Sequence, residues 1–259
     1  TITRMDAEAS PTESPSSETE SSPASNRPAS NSPTNGDHGL GPLLSAETMA
    51  ARDRLPTKPD GVVLTGSRVM LRPATLDDVD ELFAISNGTA VQRLGHAVDP
   101  YDPDELIWRY MPFGPFQSTD EFTSMLSPIL QRPDWRTFVV ADRHDGALVG
   151  SASLLANSPA DLKVEIGALW YCPAVQALGV NLEACRLLID YLLDLGYLRV
   201  EWKCHAANER SRAAATRLGF RFEGVQERHS IQKGRRRDTA WFRILRDEWV
   251  QADSTDATG

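Results

Sequence analysis

The 259-residue chain has few cysteines and no apolar run long enough to cross a membrane. Cys172, Cys185 and Cys204 are widely spaced and lie in apolar surroundings. Because they form neither an even disulfide set nor a metal-ligand spacing, we expect no disulfide, no metal site and a reducing compartment. The N-terminal stretch is acidic and lacks the apolar core of a signal peptide. Together these absences predict a soluble cytoplasmic protein without a membrane partner.

Apolar residues are also scarce at both ends of the chain. Residues 1–45 are rich in Ser, Pro and Glu, and such a composition cannot offset the entropy lost on ordering. We therefore expect a disordered N-terminal tail over 1–45, a linker over 46–60 and a second disordered tail over 251–259. The remaining residues, 61–250, are enough for one well-packed domain.

Basic residues are outnumbered, with 27 lysines and arginines against 36 aspartates and glutamates and a formal net charge of −9. An acidic chain is a poor match for general nucleic-acid binding, so we expect no nucleic-acid partner. The one basic run, "KGRRR" from Lys233 to Arg237, is centred on a Lys233-Gly234 turn. A solvated hairpin tip explains this run better than a nucleic-acid patch does.

Several enzyme signatures are missing as well. The chain has no G-x-G-x-x-G loop of the kind used by dinucleotide-binding oxidoreductases. It has neither G-x-S-x-G nor H-E-x-x-H, which mark large groups of hydrolases. Both classes are therefore discounted.

The pattern of apolar residues and turn residues predicts a mixed fold. We expect a strand over 62–71 with a bend at Gly66, a short helix capped by Thr75, and two short helices between 99 and 133. A hairpin, a strand over 163–171, a helix from about Asn181, a strand over 197–206, a helix capped by Asn208 and a final hairpin follow. This order predicts an α+β fold, in which a twisted, mostly antiparallel sheet has helices on both faces.

The loop "QALGVN", from Gln176 to Asn181, lies between a predicted strand and a predicted helix. A loop in this place presents the free N–H groups of the first helical turn, where the helix dipole favours an anion such as phosphate. A simple connection between the two elements is the alternative.

Four pieces in a fixed order carry a family resemblance: "EIGALW", "QALGVN", "VEWKCHAAN" and "NERSRAAATRLGFRFEGV". Together they resemble the GNAT superfamily of acetyl-CoA-dependent N-acetyltransferases, and most closely its branch of ribosomal-protein N-acetyltransferases. The resemblance covers about Val62 to Trp249. In the family's phosphate motif, Gln/Arg-x-x-Gly-x-Gly/Ala, Gln176 and Gly179 match, whereas Asn181 replaces the last small residue.

The resemblance implies the GNAT acyl-CoA N-acyltransferase fold and acetyl-CoA as co-substrate. It implies that the strands before and after the loop splay apart to admit the pantetheine arm. The residues implied to contact acetyl-CoA are Leu169, Trp170, Tyr171, Gln176, Ala177, Leu178, Gly179, Val180, Asn181, Asn208 and Ser211. An amine would attack the thioester directly in a ternary complex.

The implied catalytic residues are Ser211, Glu165 and Asn208. Many relatives protonate the leaving thiolate with a tyrosine, but Ala215 occupies that place here. Ser211 is the nearest substitute, although a capping position in the first helical turn explains it equally well. Glu165 and His205 are candidate bases, and an outward-facing strand glutamate or an ordinary exposed histidine remains open for each.

The acceptor is less defined than the co-substrate. We expect a primary amine, either a protein N-terminus or a small molecule, and a monomer or homodimer. Acidic and aromatic residues between Asp99 and Glu121 predict a slot for a cationic amine. The competing function is a catalytically inactive acyl-CoA-binding regulatory domain of the same fold, since the family tyrosine is absent.

Overall fold

A computed structural model describes residues 41–249 of the chain. The predicted tails, apart from residues 41–45, lie outside this range. The α-helices are α1 (Ala46–Arg54), α2 (Val79–Ala84), α3 (Thr119–Gln131), α4 (Val180–Leu195) and α5 (Glu209–Arg217). The strands are β1 (Leu64–Thr65), β2 (Val69–Pro73), β3 (Val91–Arg93), β4 (His96–Val98), β5 (Arg136–Asp142), β6 (Leu148–Ser158), β7 (Lys163–Tyr171), β8 (Arg199–His205), β9 (Arg221–Gln232) and β10 (Arg235–Leu245).

Eight strands form one sheet in the order β1-β2-β5-β6-β7-β8-β10-β9, while β3 and β4 pair separately. Every neighbouring pair in the large sheet is antiparallel except β7 and β8, which are parallel. The single parallel pair follows from the chain order, because α4 carries the chain from the end of β7 back to the start of β8. The expected α+β fold with a mostly antiparallel sheet is confirmed.

Helices lie on both faces of the sheet, as the two last residues of β7 show. Successive strand residues point to opposite faces. The Trp170 ring lies 6.4 Å from the ring of Phe122 in α3, whereas Tyr171 points to the other face, where burial and, to a lesser extent, Cys185 of α4 raise its pKa. The helices α3 and α4 therefore cover opposite faces.

The alternation of side chains along β8 also shows which segment covers each face. Trp202 Nε1 donates to Ser211 Oγ of α5 over 3.1 Å, so α5 lies on the Trp202 face. His205, three residues further and thus on the other face, stacks obliquely on Tyr110 with ring centroids 5.1 Å apart. The segment around Tyr110 therefore lies across the sheet from α5.

One predicted element is wrong in its detail. The strand expected over 62–71 is a tight hairpin, in which Leu64 pairs with Leu71 and Thr65 with Met70. Gly66 N donates to Val69 O over 2.8 Å, which closes the turn. The bend expected at Gly66 is thus a full reversal of the chain, because the short polar stretch between β1 and β2 has the turn chemistry that Gly and Ser provide.

Residues 46–60, for which the sequence predicts a linker, begin with α1. Ser45 caps this helix, since its side chain accepts a hydrogen bond from Thr48 N. The chain that follows is held by Asn157, whose side chain donates to Pro56 O and Thr57 O over 2.9 and 2.8 Å. This stretch is therefore fixed to β6 by side-chain hydrogen bonds.

The core below the loop is formed by the apolar stripe of α4. Cys185, Leu188, Ile189 and Leu192 recur at helical spacing and are fully buried. The helix ends at Gly196, whose φ of +108° is the left-handed conformation that glycine adopts without strain. This packing fixes the first turn of α4 relative to β7.

Candidate active site

The two parallel strands at the centre of the sheet separate after three residue pairs. The last of these pairs joins Glu165 of β7 to Glu201 of β8. Beyond it, residues 166–171 and 202–205 have no partner in the opposite strand anywhere in the described pairing. The strands therefore open a slot toward their C-terminal ends, as the resemblance implies.

A bulge in β7 borders this slot. Gly167 pairs with Ser153 and Trp170 with Ser151, so three steps along β7 match two along β6. Ala168 within the bulge has a φ of +49°. A bulge bends its strand and re-aims the adjoining backbone. The backbone of Leu169, Trp170 and Tyr171, for which the resemblance implies contact with the pantetheine arm, belongs to this re-aimed stretch.

The loop between β7 and α4 turns through two left-handed residues, Ala177 with φ +65° and Gly179 with φ +82°. Leu178 N is bonded to Val175 O and Glu183 N to Gly179 O. Among residues 41–249, no acceptor is found for the backbone N–H groups of Ala177, Gly179, Val180, Asn181 and Leu182. Unbonded donors at a helix N-terminus are suited to accept phosphate oxygens as ligands.

Two arginines reach this loop from distant parts of the chain. Arg68 Nη1, from the β1–β2 turn, donates to Leu178 O over 2.7 Å and its Nε pairs with Glu183 at 3.2 Å. Arg210 Nη1, from the first turn of α5, donates to Gln176 Oε1 over 3.3 Å. The loop itself contains no basic residue, so sequence reasoning missed both cations.

The side chains of Gln176 and Asn181 have partners within the protein. Gln176 Nε2 donates to Leu106 O and to Tyr171 O, each over 3.1 Å. Cys185 Sγ donates to Asn181 Oδ1 over 3.4 Å, one helical turn below the loop. The loop therefore presents backbone groups on its open side, and Asn181 fits in place of a smaller residue because its side chain turns into α4.

Asn208 caps α5 as the sequence predicts. Its Oδ1 accepts a hydrogen bond from Ser211 N over 3.1 Å, and Ser211 occupies the third position of the helix. The cap places the Ser211 side chain beside the last residues of β8. Asn208 thus fixes the start of α5 at the edge of the slot.

We expect Asn208→Ala to lower the free energy of unfolding by about 1 kcal/mol, because the first turn of α5 loses its side-chain cap. Asn208→Asp keeps an acceptor at the helix N-terminus and should retain most of the stability. Chemical denaturation of the two variants measures this difference. Equal losses in both would show that the cap hydrogen bond does not stabilise the helix.

The Ser211 hydroxyl is held as a donor. Trp202 Nε1, which can only donate, occupies a lone pair of Ser211 Oγ at 3.1 Å. The hydroxyl proton is therefore directed away from Trp202. Burial raises the pKa of the nearby Cys204 thiol, and a hydrogen bond with Ser211 offsets part of that rise.

Glu165 lies in a buried cluster of charges. Lys203 Nζ is 2.9 Å from Glu165 Oε2 and 3.0 Å from Glu201 Oε2, so two carboxylates share one ammonium group. Burial raises the pKa of Glu165 despite Lys203, and Glu201 adds to this rise. Burial also raises the pKa of Glu201, but hydrogen bonds from Arg199 and Lys203 outweigh it and leave that pKa lowered. The pKa of Glu165 is thus raised and that of Glu201 lowered, a separation found in many acid-base sites.

His205 is arranged differently. Its Nδ1 accepts a hydrogen bond from Ala207 N over 3.1 Å, so the proton of the neutral ring lies on Nε2. Burial and the charge of Arg237 lower the pKa of His205. This tautomer has no free lone pair toward the slot, and Glu165 is the better placed base.

Two of the acidic residues expected to form a cationic slot, Asp102 and Glu121, have local roles. Asp102 Oδ1 accepts from Asp104 N and Glu105 N, which caps the turn Asp104–Trp108. Glu121 Oε2 accepts from Gln117 N over 2.8 Å at the start of α3. The aromatic residues of the segment pack on one another around Trp108 and Trp170. The slot for a cationic amine therefore stays a prediction.

The chain matches the family described as "Acetyltransferase (GNAT) domain" over residues 68–221. This match spans more than half of the chain and includes the opened strands, the loop, α4 and α5. The chain therefore belongs to the GNAT acetyltransferases, and the fold and the N-acetyltransferase class implied by the sequence are confirmed.

Individual relatives agree with this assignment. A Bacillus subtilis protein, provisionally named ribosomal N-acetyltransferase YdaF, is 33% identical over 45% of this chain and 68% of its own length. A GCN5-related N-acetyltransferase structure from Brucella melitensis is 36% identical with a TM-score of 0.66, covering 74% of this chain and 82% of its own. A GNAT-family structure from Chromobacterium violaceum is 29% identical with a TM-score of 0.69, covering 81% and 96%.

Two features are absent from residues 41–249. No helix there is long and apolar enough to span a membrane. No group of three or more His, Cys, Asp or Glu side chains there is arranged to hold a metal ion.

Proposed function

We propose that the protein transfers the acetyl group of acetyl-CoA to a primary amine by direct attack in a ternary complex. The observation that carries this proposal is the slot between β7 and β8, which opens beside a loop with five unbonded backbone N–H groups. An extended arm fits between separated strands, and a pyrophosphate fits a helix N-terminus. In this reaction a nitrogen–carbon bond forms and the carbon–sulfur bond breaks.

The residues present fit acetyl-CoA. A Cβ atom at Gly179 would lie 3.0 Å from Arg68 Nη2, so glycine leaves room that any other residue would fill. The backbone of residues 176–181 would hold the pyrophosphate, and the bulged stretch of 169–171 would hold the pantetheine arm. Acetyl-CoA supplies the thioester, and a backbone N–H in the bulge would stabilise the negative charge that develops on its carbonyl oxygen.

Proton transfers need two groups, and we infer that Ser211 and Glu165, on opposite faces of the slot, supply them. Ser211 lies on the Trp202 face, where it would donate a hydrogen bond to the departing sulfur. Glu165 pairs with Lys203 on the other face, where it would accept the proton that the amine loses. An amine that enters from the Glu165 face would meet the base. A thiolate that leaves on the Ser211 face would meet the hydrogen-bond donor.

The relative YdaF is provisionally named a ribosomal N-acetyltransferase, which supports a protein N-terminal amine as the first acceptor to test. A small-molecule amine is the second. The three cysteines are free and buried, which supports a reducing compartment such as the cytoplasm.

The test is release of free thiol from acetyl-CoA in the presence of a panel of peptide and small amines, with mass spectrometry of the products. Thiol release that depends on an amine, with a gain of one acetyl group, is the expected result. Tight binding of acetyl-CoA without any amine-dependent thiol release would instead identify a non-catalytic acyl-CoA-binding domain.

We expect Ser211→Ala to lower kcat by about tenfold, because a hydrogen bond formed mainly in the transition state is lost while the thiolate remains a good leaving group. The KM for acetyl-CoA should change little. Ser211→Thr, which keeps a hydroxyl, should recover part of kcat. An effect on KM alone would make Ser211 a binding or capping residue.

A further inference from the structure

A cleft of about 630 Å³ opens beside His205 at the end of β8. Its walls are the stretch 104–110 and the tip of the β9–β10 hairpin. Five basic side chains line it against one acidic side chain: Arg109, Lys233, Arg235, Arg236 and Arg237 against Asp104. The cleft is thus strongly positive in a chain whose formal net charge is −9. The basic run that looked like a solvated hairpin tip forms one wall of a cavity.

Most of these cations are unpaired. Lys233 pairs with Asp104 at 3.3 Å. Across the described part of the chain, the side chains of Arg109, Arg235 and Arg236 make no ion pair and no hydrogen bond. Like charges brought together without counter-charges repel one another, so internal stabilisation does not explain the cluster.

Arg237 is the innermost of the four guanidinium groups. Its Nη1 donates to Gln232 Oε1 over 2.8 Å, but its Nε is buried with no acceptor within residues 41–249. Burial lowers the pKa of Arg237. Its charge acts on both Glu165 and His205, so Arg237 lies near the proposed base as well as in the wall of the cleft.

The cleft lies on the acceptor side of the sheet. His205 and Lys203 share one face of β8, and Lys203 binds Glu165 on that face. Ser211 and α5 lie on the opposite face. A molecule in the cleft therefore approaches the slot from the side of the base.

We propose that the acceptor amine carries anionic groups beside its reactive nitrogen, and that the guanidinium groups of the cleft bind them. This inference rests on the proposed acetyl transfer. Arginine forks match the geometry of carboxylates, and Arg235 and Arg237 are two strand residues, or roughly 7 Å, apart. Arg235 and Arg237 could therefore bind anionic groups at successive distances from the amine. A peptide with an acidic N-terminal sequence has such groups, and so does a small amine with carboxylates.

This proposal replaces the cationic acceptor expected from the sequence. That expectation rested on the acids between Asp99 and Glu121, of which only Asp104 lines the cleft. Asp104 is itself neutralised by Lys233. The charge that faces an incoming acceptor is therefore positive.

The test compares kcat/KM for three N-terminal peptides that are identical except at residues two to four, which are Glu-Asp-Glu, Gln-Asn-Gln or Lys-Lys-Lys. We expect the acidic peptide to exceed the amide peptide by about tenfold, mainly through KM, and the lysine peptide to be poorest. In Arg235→Gln/Arg236→Gln the ratio of acidic to amide peptide should fall toward one. Free glutamate and an amine without a carboxylate extend the comparison to small molecules.

Matched controls separate this effect from general charge. Arg54→Gln/Arg217→Gln removes the same charge from two exposed positions outside the cleft and should keep the preference. Acetyl-CoA affinity should be the same in both double variants. Equal rates for the three peptides in the wild type would overturn the proposal, as would loss of acetyl-CoA affinity in Arg235→Gln/Arg236→Gln without a change in peptide preference.

Three further outcomes keep the inferences distinct. Amine-dependent thiol release with the amide peptide, but no preference for acidic ones, would leave the acetyl transfer standing and remove the anionic acceptor. Competitive inhibition by a single-stranded oligonucleotide, without a preference for acidic peptides, would assign the cleft to nucleic acid and also overturn the proposal. A preference for free glutamate over all peptides would support the proposal with a small-molecule acceptor.

Discussion

Gly179→Val is expected to weaken acetyl-CoA binding by about 100-fold. Gly179 has a φ of +82°, a conformation that costs other residues roughly 1–2 kcal/mol and suits a β-branched residue least. A new Cβ would also meet Arg68 Nη2 at 3.0 Å. The Arg68 side chain can move aside, but the left-handed backbone strain remains, so the loop relaxes and misaligns several N–H donors to a charged phosphate, each worth roughly 1.5–3 kcal/mol. Calorimetry with acetyl-CoA measures the loss.

Gly146→Val is the matched control for backbone strain. Gly146 has nearly the same conformation, with a φ of +79°, but it lies in the β5–β6 turn and a Cβ there would meet nothing within 4 Å. Both variants should lose stability, while only Gly179→Val should lose acetyl-CoA affinity. If the two variants bind acetyl-CoA equally well, the loop after β7 is a connection and does not bind phosphate.

The local signals in the sequence were enough to predict most of the elements. The strand over 163–171 and the cap at Asn208 were both predicted, because alternation and capping depend on residues close together in the chain. The same signals misjudged residues 62–71. In this stretch a two-strand hairpin and a single bent strand have the same apolar pattern. Gly66 and Ser67 form a hairpin turn only when β1 pairs with β2, and the local sequence does not show that pairing.

The charges around the slot could not be predicted, because they come from residues far apart in the chain. Arg68 reaches Leu178, and Lys203 binds Glu165 from the neighbouring strand. The predominance of arginines over acids in the cleft beside His205 was not predicted, for the same reason. The acids near Asp104 are counted easily in the sequence, but the fold uses them as caps and turns the arginines of a remote hairpin toward the cavity.

The buried pair of Glu165 and Lys203 allows a direct test of the base. We expect Glu165→Gln to lower kcat by about 100-fold at neutral pH, because an amide cannot accept the proton of the amine. Acetyl-CoA affinity should stay within about twofold, since Glu165 lies on the opposite face from Ser211 and the sulfur it would contact. Full activity in this variant would exclude Glu165 as the base.

The pH profile gives the same assignment an independent check, with two variants that act in opposite directions. Because burial raises the pKa of Glu165, kcat/KM of the wild type should fall as pH drops through that raised value, where the carboxyl becomes protonated. Lys203→Met removes the attracting cation and should move this acidic limb to higher pH. Glu201→Gln removes a repelling carboxylate that shares Lys203 and should move the limb to lower pH. An acidic limb that stays in place in both variants, or persists in Glu165→Gln, would assign the titration to another group.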